Sequence, residues 1–231
     1  MTRFAGAAWR PVLTSFLLFG LMAGAVSAQD LSRYRDFQLG TDMPTVIQKA
    51  GATPSQIQVI DRRPALIQEL AWRPKSLSSS PEAESVQEVN FTFYNAELFR
   101  IVVNYDRYET EGLTADDFIR AVSTAYGAAA KPSALARTTN GSNGEQEQVL
   151  AQWQDPLYRF DLIRSTYGPG FRLVGTLKRL EAPATAASLE ARRLDALDAP
   201  QREAARKATE EEAASAKLEK TRLVNMLKFR L

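Results

Sequence analysis

The sequence predicts an α+β fold, with one antiparallel sheet made from two helix-strand-hairpin units, helices on one face, and a long C-terminal charged helix. Three observations point that way. Two pairs of segments alternate apolar and polar residues with period two about a short turn, the spacing of a sheet covered on one face. Two shorter segments carry apolar residues at helical spacing, each ending in glycine. From Glu181 onward alanine, glutamate, lysine and arginine dominate, and these are strong helix formers.

The elements follow in chain order. Arg3 and Arg10, the apolar run from Val12 to Val26, and the small residues Val26-Ser27-Ala28 have the layout of a secretory signal. The run is shorter than the ~18 residues of a membrane span. The expectation is a periplasmic or secreted protein, cleaved after Ala28, that meets the membrane only through an uncleaved signal. Residues 29–180 would form the α+β domain, with units at about 37–105 and 113–180, and 181–231 a charged helical tail.

In the first unit, Thr41 or Asp42 caps a helix whose first turn accepts Pro44 and whose stripe is Met43, Val46, Ile47 and Ala50, closed by Gly51. Leu66 to Trp72 reads as a strand. Val86 to Tyr94 and Glu97 to Tyr105 form a hairpin about Asn95-Ala96. In the second unit, Thr114 caps a helix with Asp116 and Asp117 over the positive end of its dipole, and Phe118, Val122, Ala125 and Tyr126 as its stripe. Val149 to Trp153 is a strand. Tyr158 to Ser165 and Phe171 to Leu180 form a hairpin about Gly168-Pro169-Gly170. In the tail, Asp198 with Pro200 marks the start of a new helix reaching about Lys228, and its leucines hold no heptad.

Composition excludes several function classes. The 29 basic and 27 acidic residues leave a net charge of +2, without the basic footprint of a nucleic-acid binder. Histidine and cysteine are both absent. A Ser-His-Asp triad, HExxH and cysteine-ligated metals are therefore impossible, as are disulfides. No cofactor, metal site or catalytic motif is expected, and the chain reads as non-enzymatic.

Leu39 to Gly51 has the form G-[ST]-x(4)-V-x(4)-G at Gly40, Thr41, Val46 and Gly51, followed by strands. It resembles the repeat of β-lactamase-inhibitor-protein-like domains and of the SmpA/OmlA-type envelope lipoproteins. The second half keeps Thr114 and Gly127. Over residues 37–180 the resemblance implies a non-catalytic envelope protein that binds other proteins. The lipobox cysteine of the lipoproteins and the disulfides of the inhibitors are missing, so neither anchoring nor inhibition carries across.

The partner-binding candidates are Tyr94, Arg100, Arg159, Arg172 and Lys178, placed by alternation on an uncovered sheet face. Arginine and tyrosine favour interface hot spots, and the partner would be another envelope protein. The bland reading is a solvated face. The tail offers an alternative, a homodimer or structural envelope protein assembled through residues 181–231. Asp106, Glu109, Glu111, Asp116 and Asp117 could do acid-base work or hold calcium, and Asp106, Glu109 and Glu111 with Asp161 allow a third reading, a carboxylate-dependent enzyme acting on glycans. Against it, caps and a solvated loop explain the same residues. Trp72, Trp153 and Tyr167 read either as core or as a carbohydrate-stacking platform.

Overall fold

The computed structural model describes residues 30–74, 85–132, 138–140, 146–165 and 170–229. The signal segment, most of the Pro/Ser-rich loop, and Tyr167 with Gly168 and Pro169 lie outside them. A small ribbon of β1 (Arg33–Tyr34) and β2 (Phe37–Gln38) leads into α1 (Met43–Ala50). Four strands follow: β3 (Gln58–Asp61), β4 (Ile67–Trp72), β5 (Val86–Tyr94) and β6 (Glu97–Tyr105). Next come α2 (Ala115–Tyr126) and four more strands, β7 (Thr138–Asn140), β8 (Gln146–Gln154), β9 (Tyr158–Ser165) and β10 (Phe171–Leu177). The chain then enters α3 (Lys178–Lys228).

All eight strands join one sheet in the order β3-β4-β5-β6-β10-β9-β8-β7, each neighbour antiparallel. Each helix is thus followed by a four-strand meander, and the meanders meet along their last strands with Val102 opposite Val174. Antiparallel pairing of equivalent strands relates the two units by a half turn perpendicular to the sheet. That rotation leaves α1 and α2 on the same face. Val46, Ile47 and Ala50 of α1 and Phe118 and Val122 of α2 bury against Phe91, Phe93, Ile101, Val103, Phe160 and Leu162.

Local chemistry sets the ends of these elements. Gly51 closes α1 at φ 62°, and Asp42 occupies its N-cap with no side-chain cap bond. Thr114 Oγ1 accepts from the Asp117 amide at 3.2 Å while Asp117 accepts from the Thr114 amide at 3.0 Å, a capping box. Asn95 and Ala96 both have positive φ, 49° and 67°, giving the two-residue turn whose twist suits a hairpin. Trp153 is buried and its Nε1 donates to the Gly127 carbonyl at 2.9 Å, tying the end of α2 to β8. Trp72 lies edge-on to Phe37, ring centroids 5.1 Å apart.

Four expectations are revised. Each unit has one more strand than expected, β3 and β7, at the outer edges. Strict alternation groups Phe99 with Ile101 and Val103, but a register shift between Thr92↔Arg100 and Phe93↔Leu98 makes Phe99 the extra residue on β6, so Leu98 faces Phe93. Residues 178–180 are helical rather than the end of a strand, and α3 continues through Pro183 and Pro200. Asp198 therefore starts no new helix; its carboxylate pairs with Arg63 in the loop after β3. Finally, the face opposite α1 and α2 is partly covered. Leu180, Ala184, Ala187 and Ala191 of α3 are buried, and Glu181 pairs with Arg159 on that face.

Candidate functional site

On this second face, strand register lines up Glu69, Thr92, Arg100, Thr176 and Arg159 in one row across five strands. A parallel row holds Asn90, Val102, Val174, Asp161 and Gln152, and a third Asn104, Arg172, Ile163 and Val149. The alternation thus places Arg100, Arg159 and Arg172 on one face as expected. From Arg172 to Lys178 the chain spans about 20 Å at ~3.3 Å per residue. Arg159 Nε donates to Asp161 at 2.8 Å and its Nη2 reaches Glu181. Asp161 also accepts from Gln152 at 2.7 Å. Arg172 pairs with Glu147, and Lys178 donates to Gln154 Oε1 at 2.9 Å and the Asp155 carbonyl at 2.6 Å. Arg100 is exposed, and Tyr94 is half-buried against the core. Val102, Val149, Ile163 and Val174 make a small apolar island between the charges.

A second feature escaped the sequence. Between α2, the β1 turn and the ends of β5 and β6 lies an apolar groove of about 450 Å³. Tyr34, Tyr105, Phe118, Tyr126 and Leu173 form its floor, with Ala121, Ala125 and Leu113 toward its mouth. Tyr126 hydroxyl donates to the Arg33 carbonyl at 2.8 Å. Burial pushes the phenols of Tyr34, Tyr105 and Tyr126 above the ordinary tyrosine range. Arg35 and Glu109 stand at the rim together with Asp117. Hydrogen bonds from Thr114 hold the Asp117 carboxyl below the usual range. Asp106 accepts from the Tyr108 amide at 2.9 Å, so it shapes the loop. No group of three or more Asp or Glu among the described residues is placed to hold a metal.

The third feature is the outer part of α3. Every residue from 199 to 228 is exposed, an arm of about 45 Å at 1.5 Å per residue. Arg206 bridges Glu203 and Glu210 at 2.9 and 2.8 Å, and such pairs contribute a few tenths of a kcal/mol each. The arm ends in exposed Leu223, Val224, Met226, Leu227 and Phe229, the last 81 % accessible. Among the described residues no helix is long and apolar enough to cross a membrane.

Comparison of the chain with family models, curated proteins and solved structures finds no match. The site is thus described by its own chemistry. The groove went unread in the sequence because its lining comes from segments far apart, residues 34–35, 85, 105–126 and 173. The α2 stripe Phe118, Val122, Ala125 and Tyr126 was the one local signal of it.

Proposed function

We propose that this chain is a non-catalytic protein-interaction module of the cell envelope, exported by its first 28 residues, whose projecting helix meets the partner. The arm carries this reading: about eight helical turns exposed at every residue, ending in clustered exposed apolar side chains. A helix polar along its length bridges between bodies or is held by its own i,i+4 pairs, and this arm has such pairs. Its apolar end needs more, since contiguous exposed apolar surface marks interaction sites. The lack of histidine and cysteine and the resemblance of Leu39 to Gly51 to envelope protein-binding repeats support the same reading.

The test is affinity capture from gently crosslinked envelope, comparing the mature chain with one ending at Arg202. The shorter chain keeps the buried turns of α3 and the Arg202–Asp195 pair. A partner retained only by the full chain is the expected result. A partner held equally by both moves binding to the sheet face or groove, and none with either removes the reading.

A further inference from the structure

The groove and the arm tip are complementary, and we propose that the arm tip of one copy seats in the groove of a second copy. The proposal rests on the interaction-module reading and names the partner as this same chain. The tip is a helix with Leu223, Val224, Met226 and Leu227 in two turns and Phe229 just beyond, and the groove is floored by aromatic rings. That is the helix-in-groove mode of recognition.

Charge points the same way. The loop and first turn beside the groove, residues 106–117, carry Asp106, Glu109, Glu111, Asp116 and Asp117 against Arg107 alone, and of these Glu109 and Asp117 line it. The tip, residues 217–229, carries Lys217, Lys220, Arg222 and Lys228 against Glu219 alone. Arg35 also lines the groove and Arg120 lies beside Asp117, so the acidic excess lies along the 106–117 segment and complements the basic tip.

The arm cannot reach its own groove. Arg179 pairs with Glu97 at the start of β6, Ser188 bonds to Asp61 on β3, and Asp198 pairs with Arg63. The base of α3 therefore crosses the second face at one end of the strands and leaves past the β3 edge. The groove sits on the helix face around Tyr105, at the other end of β6. Eight residues of strand separate those ends, about 26 Å at ~3.3 Å per residue. An uninterrupted helix does not fold back over that distance, so the occupant is another molecule. Two copies exchanging arms about a two-fold axis close the arrangement.

Sedimentation equilibrium of the mature full-length chain tests this with two variants at exposed positions. L223D/L227D spoils the tip, and A121R puts a like charge in the groove mouth; circular dichroism checks that both stay folded. At about 100 µM, where a micromolar contact is nearly saturated, wild type is dimeric and each variant alone is monomeric. Mixing the variants restores a one-to-one pair, because one intact tip then meets one intact groove. Monomeric wild type overturns the proposal, as does an A121R chain that still dimerises, since that means tip-to-tip contact. A mixture that stays monomeric overturns it too. If self-association is absent while the arm still captures a different envelope protein, only the second-copy partner fails and the module reading stands.

Discussion

Gly175 on β10 lies directly opposite Phe160 on β9. A Cβ built there would sit 2.5 and 2.7 Å from two ring carbons of Phe160, where ordinary contacts begin at 3.4 Å. In Gly175→Ala the ring must retreat by most of an ångström. It has nowhere to go: Phe160 is fully buried and Tyr126 stacks on it with centroids 4.4 Å apart and planes at 21°. Overpacking of this kind costs about 1–3 kcal/mol, and two rings in a closed core put the cost near 3. Alanine recovers about 0.5 kcal/mol through its better strand conformational entropy, leaving a net loss of about 2.5. For a domain of this size that lowers Tm by roughly 5–10 °C. Urea and thermal unfolding followed by circular dichroism measure it. Gly170→Ala is the control, because nothing lies within 4 Å of its Cβ position. A G175A protein within about 0.5 kcal/mol of wild type would refute the reasoning, given the size of ordinary surface effects. The double variant G175A/F160L isolates the cause: with the ring replaced by the smaller leucine side chain the added methyl should cost at least 1 kcal/mol less.

Other expectations are more local. Trp153→Phe leaves the buried Gly127 carbonyl without its indole donor and should lose about 1–3 kcal/mol in urea titration. Ala96→Gly relieves a left-handed conformation that costs a non-glycine residue about 1–2 kcal/mol, offset by ~0.4–1 from the freer unfolded chain, so a gain of about 0.5–1 is expected. Thr114→Ala should cost about 1 kcal/mol by removing the cap of α2, and the midpoint shift in denaturant reads it. The buried phenols of Tyr34, Tyr105 and Tyr126 hold their protons in the folded chain beyond the unfolded value near 10. The native state then binds more protons than the unfolded one, and stability falls as pH rises past about 10. Absorbance at alkaline pH should show part of the tyrosine ionising only as the circular dichroism collapses. Ionisation of every tyrosine in one step before unfolding would contradict the burial.

Alternation and capping chemistry were legible because both are local. The Asn95-Ala96 turn and the stripes of α1 and α2 appear as expected, except that Ala125 is exposed at the groove. What stayed hidden depends on distant partners. Gln58–Asp61 shows no clean alternation because β3 is an edge strand and three of its four residues face solvent. Thr138–Asn140 is too short to have a period. Asp198 with Pro200 suggested the start of a new helix, yet α3 runs on through Pro200 as it does through Pro183, its first turns seated on the sheet by Leu180, Ala184, Ala187 and Ala191. The arginines of the second face were placed correctly by parity. Their pairing with Glu147, Asp161 and Glu181 required the register across strands, which no single segment contains. The groove is the extreme case, assembled from four separate stretches of chain.

The seam between β6 and β10 has a consequence for how such a chain can arise and come apart. Each unit alone would be a helix on a four-strand sheet whose longest exposed edge is its last strand, β6 in one and β10 in the other. An unpaired edge of that length invites pairing with another copy. Two identical units would seal one another about the same half-turn axis, so a single unit is a natural homodimer. The present chain has the strand arrangement of such a dimer within one polypeptide, and severing the loop between Tyr105 and Ala115 should leave two fragments that find each other again.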